Sequence, residues 1–233
     1  MKKMINITLI SASALLVMQG LSVQAAEKKQ EITSDATISA IAGTKPVDPV
    51  NPENPKEPGE EPGTNQEGPL QINHVSSLNF GKDIEITPKK VVANEKSGKT
   101  PFFQVSDLRG TGDGWALRAK LSDFEKNDDS KKPIKAATIT FNNQVIKTSN
   151  DTEENKPEGV STITLNAGGS KEIFMKALKE NGRGTWLATY PKVEEESDNQ
   201  NVVFSAPTAS IDANSEYKAT ITWELFDGPE PEA

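Results

Sequence analysis

Hydrophobic positions recur every second residue in two clear runs of this chain. In Tyr217-Lys218-Ala219-Thr220-Ile221-Thr222-Trp223-Glu224-Leu225 the odd positions are apolar and the even ones polar. A period of two marks a strand with one face turned to a core. Trp115–Leu121 repeats the pattern, with Trp115, Leu117, Ala119 and Leu121 on one face. Shorter β-rich runs occupy residues 84–86, 102–105, 137–141, 161–165, 185–190 and 202–205. Glycine-rich clusters separate them, notably Gly110-Thr111-Gly112-Asp113-Gly114, Ala167-Gly168-Gly169-Ser170 and Asn181-Gly182-Arg183-Gly184, as turns require. One stretch departs from this period. From Glu172 to Lys179, Ile173, Phe174, Ala177 and Leu178 fall at helical spacing, which predicts a short helix. The expected class is all-β: a β-sandwich or Ig-like pair of antiparallel sheets, with a barrel as the other closure and at most one short helix.

The pattern changes towards the front of the chain. Met1-Lys2-Lys3-Met4 is positive, residues 5–17 are mostly apolar, and Val23-Gln24-Ala25 offers small residues for cleavage. This layout predicts a secretory signal peptide over residues 1–25, since a membrane span needs about 20 apolar residues. Residues 26–44 form a short segment in which Ile32, Ile38 and Ile41 among threonines supply one strand. Residues 45–69 read KPVDPVNPENPKEPGEEPGTNQEGP and hold seven of the chain's 15 prolines. So little apolar surface cannot offset the entropy of ordering, which predicts a disordered, extended spacer. The main domain then spans residues 70–233. Neither a second apolar span nor an LPxTG-like sorting signal follows, so neither direct membrane insertion nor covalent linkage to a wall is expected.

Charge and composition narrow the function. Loss of Lys2 and Lys3 with the leader takes the net charge from −8 to −10. That sign disfavours nucleic acid, which demands a basic surface. There is no cysteine, so neither disulfides nor a Cys-based zinc site can form. His74 is the one histidine and has no second imidazole for a metal or triad. Acidic runs at Asp128-Asp129, Asp151-Thr152-Glu153-Glu154 and Glu194-Glu195-Glu196 lie in polar loops. There a carboxylate is well solvated, without the apolar pocket that a glycosidase acid needs. Their spacing does not suit a calcium loop either. No catalytic residue, cofactor or metal is expected.

Two short patterns remain, Trp115-Ala116-Leu117 and Trp223-Glu224-Leu225. In each, Trp and Leu are two apart and share a strand face. Alternation alone fits either two core pairs or an exposed aromatic platform for sugar rings. The surrounding residues are more specific. Asp107-Leu108-Arg109-Gly110-Thr111-Gly112-Asp113-Gly114-Trp115-Ala116-Leu117 resembles the proximal motif of the WxL-domain surface proteins of low-GC Gram-positive bacteria, and Thr220-Ile221-Thr222-Trp223-Glu224-Leu225 resembles their distal motif. The resemblance extends to Gly68-Pro69-Leu70-Gln71-Ile72, to Val75-Ser76-Ser77-Leu78-Asn79-Phe80-Gly81, to Gly182-Arg183-Gly184-Thr185-Trp186 and to Thr33-Ser34-Asp35-Ala36-Thr37-Ile38. After Trp186 the chain reads Leu-Ala-Thr-Tyr-Pro, where a Phe-Gly ending is commoner, and Trp186 is expected in the core. The resemblance implies a secreted protein held non-covalently on the cell wall, with peptidoglycan as ligand and Trp115, Leu117, Trp223 and Leu225 as the attachment residues. It also implies other WxL proteins and membrane-anchored surface proteins as partners. The alternative expectation is a structural subunit or adhesin that reaches the wall or host matrix through partners.

Overall fold

The computed structural model describes residues 32–194 and 197–229; residues 1–31, where the expected leader and cleavage site fall, Glu195, Glu196 and the last four residues lie outside them. Strands β1 (Leu70–Val75), β3 (Phe102–Asp107), β12 (Gly184–Thr189) and β8 (Val145–Thr148) lie side by side, in that order, in a first sheet. A second sheet orders β10 (Thr162–Asn166), β7 (Thr138–Asn142), β13 (Asn199–Pro207) and β2 (Lys90–Glu95). A third orders β15 (Ile221–Asp227), β4 (Trp115–Leu121), β11 (Glu172–Ala177) and β9 (Glu158–Gly159). A small ribbon joins β14 (Tyr217–Lys218), β5 (Phe124–Lys126) and β6 (Pro133–Ile134). All pairings are antiparallel. The first and third sheets meet at both margins, β1 beside β15 and β8 beside β9. Their inner faces and that of the second sheet share one core, where the rings of Phe103 and Phe141 touch each other and both touch Phe174 and Tyr190. Among the described residues no helix is long and apolar enough to cross a membrane.

The all-β expectation is met, with local corrections. The helix predicted over residues 172–179 is strand β11, whose register slips between Ile173 and Met175. A bulge puts two residues opposite one, which let apolar residues appear at helical spacing. The nine-residue alternation from Tyr217 is two strands. It changes sheet at Ala219-Thr220 while Tyr217, Ala219, Ile221, Trp223 and Leu225 all keep packing on the core. Residues 84–86 form no strand, and pairing begins instead at β2. The strand expected around Ile32–Ile41 is also absent. The described residues 32–39 belong to a separate unit from those that follow, and residues 32–43 join no ladder. Three isoleucines in ten positions bury too little to offset ordering.

The largest correction concerns the proline-rich spacer, which is ordered. Its outward limb, residues 45–50, crosses the outer face of the first sheet. It turns over residues 51–57 and returns with Val50 bridged to Pro58. Beneath it the outward positions of the first sheet are buried and mostly polar: Gln71, Asn73, Gln104, Ser106, Thr185 and Thr189, with Phe102 and Leu187 among them. Two glutamine amides read the limb's backbone in the same way. Gln71 accepts from Val47 N–H (3.2 Å) and donates to Lys45 O (2.8 Å). Gln104 accepts from Val50 N–H (2.9 Å) and donates to Asp48 O (3.1 Å). Lys147 Nζ donates to Pro52 O (2.6 Å), and Asn73 O accepts from Thr64 N–H (2.8 Å). A strap rich in proline loses less backbone freedom on docking, so a few amide bonds suffice to hold it. Gln104→Ala leaves the partly buried Val50 N–H and Asp48 O without their side-chain partner and should cost about 1 kcal/mol, seen as a lower thermal midpoint with earlier proteolysis inside residues 45–64.

His74 sits under the same strap. Its ring stacks on Phe102 with centroids 4.1 Å apart. Its Nδ1 lies 3.0 Å from Pro62 O and its Nε2 3.2 Å from Ser76 Oγ. Burial holds its pKa below the ordinary 6.5, and Lys99 lowers it further, against the raising pull of Pro62 O and Glu61. The unfolded chain therefore takes up this proton more readily than the folded one. The stability involved is complete above the ordinary value and is lost as pH falls through 6.5 towards the folded value. Thermal midpoints between about pH 7.5 and 5.5 should fall in the wild type, with a shallower fall in His74→Gln.

Candidate functional site

The two Trp-x-Leu motifs come together as neighbouring strands. β15 pairs with β4 so that Leu225 faces Leu117, Trp223 faces Ala119 and Asp227 faces Trp115. Residues directly opposite share a face, so Trp115, Leu117, Trp223 and Leu225 all point the same way. That way is inward. Trp115 and Leu117 are fully buried, and the Trp115 indole N–H donates to Gly182 O at 3.1 Å. The expectation that these two residues contact a wall ligand is therefore corrected: a ring with no accessible surface cannot stack on a sugar. Trp223 and Leu225 are partly buried at the margin of the third sheet. The Trp223 ring packs against Phe103 (centroids 4.0 Å) and Phe174 (4.7 Å). Trp186 lies in the core as expected, its N–H on Arg183 O at 2.9 Å.

The glycine-rich turns exist to seat Trp115. Gly182 has φ +79°, and a Cβ there would lie 2.4 Å from Trp115 Nε1 and 2.3 Å from Ala177 Cβ. Gly114, φ +79°, brings its Cα against the Ala177 carbonyl, where a Cβ would sit at 2.3 Å. Both positions need the left-handed backbone and the missing side chain together. Gly182→Ala should therefore destabilise by about 2–4 kcal/mol, measurable as a lower urea midpoint.

A polar clasp, which the sequence pattern does not single out, ties one motif to the other. Arg109 Nε and Nη2 donate to the two carboxylate oxygens of Asp107 at 2.9 and 2.7 Å. Nη2 also donates to Gly114 O at 2.7 Å, and Nη1 pairs with Asp227 at the end of β15. Asp107 is wholly buried and the Arg109 side chain is 10% exposed. The Asp107 hydrogen bond is the chief reason that the Arg109 pKa rises above its ordinary value. Gly114 O takes a further bond from Gly228 N–H (3.1 Å). The proximal loop, the start of β4 and the end of β15 are thus fixed to one another. The signal available in the sequence was Asp-x-Arg immediately ahead of the glycine turn.

The third sheet's outer side is charged. Lys176 pairs with Glu158 at 3.3 Å, Lys171 pairs with Glu224 at 2.7 Å, and the Arg118 guanidinium lies 3.5 Å over the Phe226 ring. The second sheet's outer side differs. Its outward positions in register are Thr162, Thr164 and Asn166 on β10, and Thr138, Thr140 and Asn142 on β7. Val203 and Ser205 on β13, then Asn94, Val92 and Lys90 on β2, continue the face.

The family model described as a WxL domain, surface cell wall-binding, matches residues 27–229. No match was found among curated proteins or among solved structures.

Proposed function

The chain belongs to the WxL family of surface cell wall-binding domains, and from that premise we propose that it attaches directly and non-covalently to peptidoglycan, with its two Trp-x-Leu motifs acting as the fold's clasp rather than as the contact. The observation carrying this reading is that Trp115 and Leu117 have no accessible surface while their strand is paired in register with the distal motif. The motifs matter for attachment because they join the end of the domain to its middle. The role is display and adhesion rather than chemistry, in a protein exported by its leader to the Gram-positive surface. With a net charge of −10 after removal of the leader, binding cannot rest on attraction to anionic wall polymers, so it should persist in moderate salt.

A second reading has its own observation. Strand β15 is hydrogen-bonded on one side only, with Trp223 and Leu225 partly accessible, and a sheet margin bearing half-buried apolar residues suits a protein partner. Another WxL protein or a membrane-anchored surface protein would then hold the chain, which would serve as a subunit of a surface complex. Sacculi stripped of protein and teichoic acid separate the two readings. Purified mature protein that pellets with them, with and without moderate salt, binds the wall itself. Protein that stays in solution is held by a partner.

A further inference from the structure

Among the described residues, the second sheet offers the one sheet face that is both uncovered and nearly free of charge. The strap covers the first sheet, and ion pairs lace the third. Here the five-residue segments Thr138-Ile139-Thr140-Phe141-Asn142 and Thr162-Ile163-Thr164-Leu165-Asn166 pair antiparallel about Thr140↔Thr164, so that each terminal threonine faces an asparagine. Their Ile, Phe and Leu side chains are buried in the core, which fixes the register and drives the Thr and Asn side chains outward. Some of the hydroxyls have partners on the face itself. Thr140 Oγ1 lies 3.2 Å from Thr164 Oγ1, and Thr138 Oγ1 donates to Ser205 O at 3.5 Å. Val203, Ser205, Asn94 and Val92 extend the rows across four strands. The charged outward residue on them, Lys90, stands at a corner opposite Pro207, although charged residues make up 26% of the chain.

We propose that this Thr/Asn/Ser face is the surface that meets the wall, and that its ligand is the neutral, hydroxyl- and acetamide-bearing backbone of extended glycan strands. The inference rests on the reading that the protein binds peptidoglycan directly. Three physical features select the occupant. An uncharged ligand of hydroxyls and amides exchanges hydrogen bonds with such a face without leaving a charge desolvated and unpaired. Threonine presents a hydroxyl and a methyl from a stiff rotamer, which suits a polymer that is polar at its rim and apolar on its ring faces, at little entropic cost. The face lacks the Trp, Tyr and Arg anchors that concentrate energy at protein interfaces, so a protein partner is a poor fit. Without an aromatic ring each contact is weak. Rows of contacts on an insoluble lattice add through avidity, so sacculi should bind far better than soluble fragments.

The test uses full mature protein and stripped sacculi. Thr164→Glu/Asn94→Glu places two charges on the face at outward positions, with circular dichroism to check folding. Lys120→Glu makes the same change of two charge units on the outer side of β4. The expected result is about a tenfold loss of apparent affinity (about 1.4 kcal/mol) for the double variant, wild-type binding for Lys120→Glu, and full retention for Thr164→Ser. A folded double variant that pellets like wild type overturns the assignment of the face and leaves direct wall binding standing. Equal losses in the double variant and Lys120→Glu also overturn it, because the effect is then one of overall charge. Wild type that stays in solution overturns both the face and the direct-binding reading.

Discussion

Trp115→Ala should lower the stability of the domain by about 3–5 kcal/mol, the usual cost of removing a fully buried large aromatic. Here the cavity would open at the meeting point of β4, β11 and the Gly182 turn, and Gly182 O would lose its 3.1 Å indole donor. Domains of this size are stable by only about 5–15 kcal/mol, so the variant is expected to be marginally folded, with a much lower urea midpoint. Wall retention should fall with it. Trp223→Ala should cost less, because that ring is only partly buried and leaves its site open to solvent rather than as a sealed void. If the ranking came out the other way, with Trp223 the costlier loss, the distal motif would hold the core and the seating of Trp115 would be secondary.

Arg109→Met should be almost as damaging, at about 3–5 kcal/mol. The reason is electrostatic rather than steric. Asp107 has no accessible surface, and Arg109 supplies its paired charge through two hydrogen bonds. Without the guanidinium, a carboxylate is left buried and uncompensated, Gly114 O loses a donor, and Asp227 at the end of β15 is released. The double variant Asp107→Leu/Arg109→Met removes both charges and should recover part of the loss, since a buried pair is often worth little more than its apolar replacement. A denaturation cycle over the wild type, Arg109→Met, Asp107→Leu and the double variant measures the coupling. Additive losses would mean that the clasp does not act as a pair.

How much of this was legible in the sequence depends on which side of a strand was being read. Period two located β4 and β15 and put Trp115 with Leu117, and Trp223 with Leu225, on one face of each strand; the pairing of β15 with β4 makes the two faces one. Alternation marks a face but not what covers it, so it could not say whether that face looked at the core or at the wall. The same limit explains the strap. Gln71, Gln104 and Ser106 are polar, yet they are buried because a proline-rich segment lies across them. That segment reads as disordered because its own composition buries nothing; its order comes from amides 20 to 60 residues away in sequence. The helix expected at residues 172–179 failed because a bulge imitates helical spacing. Strands β1 and β8 went unread because β1 is polar where it meets the strap and β8 is only four residues long. The Thr-x-Thr segments were visible as strands, but their lack of charge gains meaning only once the structure places them side by side.

If the Trp-x-Leu motifs serve the wall through the fold, binding to stripped sacculi plotted against the folded fraction across Trp115→Phe, Leu117→Met, Arg109→Met and Trp115→Ala should fall on a single line, with Trp115→Phe near wild type in both. A Trp115 or Leu117 variant that is fully folded by circular dichroism and yet remains in the supernatant would contradict it, and would return the proximal motif to the role of a direct contact.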